Sequence, residues 1–71
     1  MSATAPTPVV PKSGVRLLEL LSHGFTDEMV GVEFDLTVGG VQANIRDVVR
    51  SLGARNREHA VALALEMGLI S

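Results

Sequence analysis

The sequence predicts an all-α domain of four short helices. Between residues 13 and 70, apolar residues recur at spacings of three and four, which is the helical period. Each such stretch follows a Ser, Thr or Asn and most end at a glycine, a pattern typical of helix boundaries. The 71 residues suffice for one small domain. Because its only aromatic residues are Phe25 and Phe34, the core must be aliphatic.

The first stretch of the chain differs from the rest. All three prolines lie in MSATAPTPVVP, which has neither a helical nor a strand period. This composition predicts a disordered arm over residues 1–12, followed by a helical domain over 13–71. Helix one is predicted over 13–22, with Ser13 as its N-cap and Gly24 as its stop. Its apolar positions are Leu17, Leu18, Leu20 and Leu21.

Helix two is predicted to begin at the N-cap Thr26. Asp27 and Glu28 then occupy the first turn, where the helix dipole favours negative charge. The side chains predicted to be buried are Met29, Val30 and Phe34.

A competing interpretation exists for residues 32–38, where apolar and polar residues alternate as in a half-buried strand. The local pattern alone does not decide between helix and strand. A single strand would lack a partner, and no second alternating run follows the Gly39–Gly40 pair to form a hairpin. These two observations favour a short helix.

Helix three, over about 38–52, is the clearest prediction, with Thr37 as its N-cap and Gly53 at its C-terminal stop. One stripe along it contains Val41, Ile45, Val48, Val49 and Leu52.

Helix four is predicted from the N-cap Asn56 to Gly68 and is apolar nearly all round. One stripe is predicted to face inward, formed by Ala60, Leu63, Ala64 and Met67. The other apolar side consists of Val61, Ala62 and Leu65. A helix that is apolar on two sides needs a second covering surface, so these three residues are predicted to form a homodimer interface.

Charge is distributed unevenly along the chain. The net charge is −2, which argues against a general polyanion binder. Residues 1–36 contain two basic and five acidic residues, whereas residues 37–71 contain four arginines and three acidic residues. Those arginines, all within residues 46–57, are Arg46, Arg50, Arg55 and Arg57. A basic face is therefore expected there.

Several function classes are not expected. The chain has no cysteine, and His23 and His59 are too few for a recognisable metal site. No nucleophile motif is present and 71 residues leave little room for a catalytic pocket, so neither an enzyme nor a cofactor or small-molecule substrate is expected. Without a signal peptide or a long apolar run, the expectation is a cytoplasmic protein that does not bind membranes.

The tight turn predicted around Asp35 and Leu36, between helices two and three, is the arrangement of a helix-turn-helix. Residues 13–70 resemble the LuxR/GerE-type helix-turn-helix domain of bacterial transcription regulators, without a gap. The resemblance rests on LLSHG at 20–24, FTDEMV at 25–30 and above all LGARNR at 52–57, followed by an alanine-rich helix that ends in Gly-Leu-Ile.

This resemblance implies a four-helix domain that places helix three in the DNA major groove and dimerises through helix four. It also implies helix and turn, not strand, at 32–38. The positions implied to read bases are Gln42, Ala43 and Arg46. Those implied to lie near phosphates are Thr37, Asn44, Arg50, Arg55 and Arg57. These residue types suit the roles, since Gln can pair with adenine and Arg with guanine or phosphate.

The chain departs from the family on the DNA-reading side. Gly40-Val41-Gln42-Ala43-Asn44 lacks the lysine usual there, and helix two is acidic. Two hypotheses follow. One is a stand-alone DNA-binding transcription regulator that dimerises on a short inverted repeat. The other is a diverged helix-turn-helix that holds another regulator, a sigma factor or RNA polymerase.

Overall fold

The computed structural model describes residues 10–71, and in that part the chain is all helical with no strand. The four helices are α1 (Lys12–Ser22), α2 (Asp27–Phe34), α3 (Val38–Leu52) and α4 (Arg57–Glu66). The predicted fold class is therefore confirmed. The predicted arm lies mostly outside the described residues, which begin at Val10, and α1 begins one residue before its predicted start.

A single aliphatic core joins the helices. Both α1 and α3 pack against all three other helices, whereas α2 and α4 do not pack against each other. Leu18, Val30 and Val41 are the largest fully buried side chains, one each from α1, α2 and α3. From α4 the core receives the small residues Ala60 and Ala64, which allow that helix to approach closely.

Three of the four predicted N-caps are confirmed. The side-chain oxygens of Thr26, Thr37 and Asn56 accept the backbone N–H three residues ahead, at 3.2, 3.0 and 2.8 Å. Each bond satisfies one of the amide groups that a helix N-terminus leaves without a partner. These polar residues therefore set where α2, α3 and α4 begin.

The predicted N-cap at Ser13 is wrong. Pro11 precedes α1 instead, without a side-chain capping bond, and its carbonyl accepts the N–H of Val15 at 3.0 Å. Proline fixes φ near the helical value and has no N–H to satisfy, so the helix can begin directly after it. Ser13 consequently lies inside the first turn.

The turn between α2 and α3 is centred on Asp35, as predicted, and the strand interpretation is wrong. Asp35 adopts a left-handed conformation with φ of 56°, which aspartate tolerates better than most residues. The N–H of Leu36 then donates to the carbonyl of Gly31 at 2.8 Å and closes the helix end. A Cβ atom on Gly31 would lie 2.7 Å from the Leu36 carbonyl oxygen, so this close approach requires glycine.

Two methionines predicted to be buried are exposed. Met29 on α2 is 47% exposed and Met67 at the end of α4 is 44% exposed. In α2 the core side is taken by Val30 and Gly31. After α4 the chain reverses at Gly68, and Ile70 is buried instead of Met67.

The longest helix, α3, has 15 residues, whereas a bilayer-spanning helix needs roughly 20. Over residues 10–71 no helix meets the length and hydropathy that crossing a membrane requires.

Candidate nucleic-acid interface

An open groove lies between α3, the segment that connects it to α4, and the first residue of α4. Its volume is about 610 Å³. We call it the arginine groove, and it is lined by Gln42, Ile45, Arg46, Val49, Arg50, Ala54, Arg55, Asn56 and Arg57. All four clustered arginines line it and no acidic residue does. The groove therefore combines an apolar floor with four guanidinium groups.

The helical period of α3 determines which of its residues line the groove. Val41, Ile45 and Val48 face the core, so Gln42, Arg46 and Arg50 lie toward solvent on successive turns of one face. The spacing of four residues sets these three side chains side by side along the helix.

A short connection brings the remaining arginines to the same place. Gly53 ends α3 with φ of 67°, where a side chain would be strained, and Ala54 donates its N–H to the Val49 carbonyl at 2.9 Å. Asn56 then caps α4. This folded-back segment brings Arg55 and Arg57 into the groove that the α3 residues line.

His59 holds the backbone of this connection. Its ring atom Nδ1 accepts the backbone N–H of Arg55 at 3.0 Å. The backbone N–H of His59 donates to the side-chain oxygen of Asn56. This role of His59 was not predicted from the sequence, where the residue was weighed only as a metal ligand. Its position three residues after a helix cap was an available signal, because side chains there can reach back to the preceding backbone.

Arg57 makes the shortest ion pair among the described residues. Its two terminal nitrogens donate to the two carboxylate oxygens of Asp27 at 2.7 and 3.2 Å. The side chain of Gln42 also donates to Asp27, at 3.4 Å. The hydrogen bond from Arg57 lowers the pKa of Asp27 against the opposing effect of burial, and the same bond raises the pKa of Arg57. Asp27 therefore neutralises part of the charge of the groove.

Asp27 was not predicted as a site residue. It lies 30 positions from Arg57 in the chain, and no local pattern links the two.

None of the other three arginines of the groove is held in a close ion pair by a described residue. Arg50 lies 3.8 Å from Asp47, but both side chains are more than two-thirds exposed, and such pairs contribute little. Arg46 and Arg55 form no ion pair with any residue of the described chain. Guanidinium groups in this state can bind phosphate oxygens in a bidentate manner.

The structure brings together five of the eight predicted DNA contacts, namely Gln42, Arg46, Arg50, Arg55 and Arg57. The other three are elsewhere. The Thr37 hydroxyl caps α3, and Ala43 is half-buried beside the exposed face. Asn44 lies about 160° around the helix axis from Gln42 and lines a smaller crevice toward the start of α1.

Two of the three predicted dimer residues, Ala62 and Leu65, are on the outer side of α4. Ala62 is exposed and Leu65 is 48% exposed. Val61 is half-buried and lines a crevice with Leu21 and Phe25 at the end of α1.

No protein-family model matches this chain, and no curated protein matches it significantly. The LuxR/GerE resemblance therefore remains a prediction from the strings described above.

Proposed function

We propose that the chain is a DNA-binding transcription regulator of the bacterial cytoplasm that holds duplex DNA against the arginine groove. The observation that carries this proposal is the convergence of four arginines and Gln42 in one groove without an acidic lining residue. The LuxR/GerE resemblance supports the same function, since it implies that α3 enters the major groove.

The residue types divide into two roles. Gln42 and Arg46 lie on the exposed face of α3 and can read base edges in the major groove, with Ala43 available for apolar contact with a thymine methyl group. Arg50, Arg55 and Arg57 also line the groove, where they can bind phosphates and orient the helix. Thr37 and Asn44 would approach phosphates at the two flanks of α3.

The functional unit in this proposal is a homodimer on a short inverted repeat. The exposed Ala62 and Leu65, with Val61 beside them, supply the apolar surface for the contact between two α4 helices. The Leu65→Gln variant is expected to weaken dimerisation and DNA binding together, as measured by sedimentation equilibrium and by DNA titration.

The decisive experiment is a titration of random-sequence duplex DNA, followed by amide chemical shifts and fluorescence anisotropy between about 50 and 200 mM salt. We expect shifts at Gln42, Arg46, Arg50 and Arg55 that fade as salt rises. Arg55→Ala is expected to weaken binding about tenfold and to reduce the salt slope by about one. Arg16→Ala is the matched control, because Arg16 is an exposed arginine on α1 outside the groove.

The second candidate function is a protein-interaction module that holds another regulator, a sigma factor or RNA polymerase. The acidic charge of α2, at Glu28 and Glu33, favours it, because neither carboxylate is paired within residues 10–71. If the groove amides do not shift at low salt, the DNA-binding proposal is wrong and this second candidate takes its place. If Arg16→Ala weakens DNA binding as much as Arg55→Ala, the arginine groove is not the DNA-binding site.

A further inference from the structure

The outer side of α2 exposes an unusual combination of residues. Val30 and Gly31 face the core, whereas the opposite side presents Met29 and Val32 between two glutamates. Val32 is 83% exposed, more than any other large apolar residue exposed within residues 10–71. We call this side the acidic α2 face, and it consists of Glu28, Met29, Val32 and Glu33.

The fold does not account for these apolar side chains. Val32 contributes almost no buried area, and a β-branched residue is a poorer helix former than alanine or glutamate. Six large apolar side chains are exposed between residues 10 and 71, and four of them lie within ten consecutive positions: Met29, Val32, Leu36 and Val38. Leu36 and Val38 follow directly in the turn and at the start of α3. Met29 and Val32 are neighbours on α2 at a spacing of three, and apolar patches that stay exposed mark binding surfaces.

The charge around this surface has one sign. Glu28 and Glu33 flank the apolar residues, and Asp35 follows in the turn. Neither lysine nor arginine occurs anywhere between Leu17 and Ile45. None of the three carboxylates forms an ion pair with another described residue. A ligand of complementary charge must therefore be basic.

The acidic α2 face is separate from the arginine groove. Asp27 points toward the groove and binds Arg57, whereas Met29 lies about 160° around the axis of α2 from Asp27. A ligand on the acidic α2 face thus leaves Arg46, Arg50 and Arg55 accessible.

We infer that the acidic α2 face is a docking site for a basic amphipathic helix of another protein, with an apolar stripe that covers Met29 and Val32 and with lysine or arginine at its edges. Contacts between two amphipathic helices combine apolar anchors with charge complementarity. Nucleic acid and anionic membranes would be repelled by the glutamates.

Neither the exposed apolar side of α4 nor the α2 face of a second copy fits this face well. Its other exposed apolar side chains, Leu65 and Met67, flank Glu66, so that surface brings a like charge. Contact between two acidic α2 faces would oppose glutamates as well. Like charges across an interface oppose association.

The test uses two synthetic peptides. One forms a helix with leucine at i, i+3, i+4 and i+7 flanked by lysines, and in the other glutamates replace the lysines. The full chain is titrated with each, followed by amide chemical shifts. We expect the basic peptide to shift amides from Glu28 to Val38 and the acidic peptide to shift none of them.

Matched variants locate the site. Met29→Gln is expected to weaken binding of the basic peptide about tenfold, whereas Met67→Gln, with nearly equal exposure, leaves it unchanged. Glu33→Gln is expected to weaken binding and its salt dependence, and Glu66→Gln is its control. Thermal unfolding of every variant verifies that the fold is retained. We expect it to be retained, because the substituted side chains are exposed.

Three results would overturn the inference. They are equal binding of the two peptides, equal effects of Met29→Gln and Met67→Gln, and shifts that map to the arginine groove or to α4. Loss of self-association in Met29→Gln, measured by sedimentation equilibrium, would assign the face to a second copy instead. The DNA titration is independent, because Met29→Gln should not alter it if both surfaces act as described.

Discussion

Asp27 and Arg57, the first residues of α2 and α4, are joined by a two-point ion pair at 2.7 and 3.2 Å. The two helices do not otherwise pack against each other, so this pair supplies a direct link between them. It also holds one of the four arginines of the groove against a carboxylate. The pair therefore affects both the stability of the fold and the charge available to an anion.

The first prediction concerns stability and pH. Asp27→Asn is expected to reduce the free energy of unfolding by about 1 kcal/mol at pH 7, the typical scale of a partly exposed charge-assisted hydrogen bond. Because the pKa of Asp27 is lowered in the folded state, this contribution is present above the pKa of an unfolded aspartate, about 3.9, and is lost as pH falls through the lower folded value.

Urea-induced unfolding at pH 7 and in acid below the folded pKa of Asp27 measures the effect. The difference between the wild type and Asp27→Asn should shrink in acid. Asp47→Asn is the control, since the exposed pair with Arg50 should contribute little at either pH. A difference between wild type and Asp27→Asn that is independent of pH would show that the ion pair is not its origin.

The second prediction rests on the proposed function. The same substitution that lowers stability is expected to raise the affinity for DNA. Asp27→Asn removes a negative charge beside the arginine groove and releases Arg57, so the affinity for duplex DNA should rise by about threefold to tenfold at low salt. Anisotropy titrations of wild type and variant measure it. A variant that is less stable and also binds DNA more weakly would contradict the proposed role of Arg57.

The third prediction compares two glycines. A Cβ on Gly31 would lie 2.7 Å from a backbone oxygen, so Gly31→Ala is expected to cost about 2 kcal/mol or more. A Cβ at Gly39, inside α3, would lie 3.9 Å from the Thr37 hydroxyl oxygen, an ordinary contact, and Gly39→Ala is expected to stabilise by about 0.5–1 kcal/mol because alanine is the better helix former. Thermal and urea unfolding measure both changes. Equal effects of the two substitutions would refute the steric explanation for Gly31.

The fourth prediction concerns the connection between α3 and α4. His59→Ala removes the acceptor of the Arg55 N–H, so hydrogen exchange at the Arg55 amide should accelerate about tenfold while global stability falls by no more than about 1 kcal/mol. His23→Ala is the control, because the exposed His23 forms no side-chain hydrogen bond with the described residues. Unchanged exchange at Arg55 would mean that the His59 bond does not hold this segment.

The sequence alone determined the four helices and most of their boundaries. Thr26, Thr37 and Asn56 cap helices through bonds to a residue three positions ahead, and Gly53 ends α3 through its own backbone conformation. Such interactions lie within one helical turn, so a local pattern contains the information. The stripe of α3 is also local, because its period directs Gln42 and Arg46 away from the core.

Only the tertiary structure decided how the site is composed. The groove forms because a bent connection returns Arg55 and Arg57 to the side of α3, and its charge is reduced by Asp27 from a third helix, 30 residues away. The exposure of Met29 and Met67 also depends on tertiary packing. Val30, Gly31 and Ile70 are buried in the core instead of the two methionines. Contacts between distant residues depend on how the helices pack in three dimensions, which no pattern within one turn of the chain can specify.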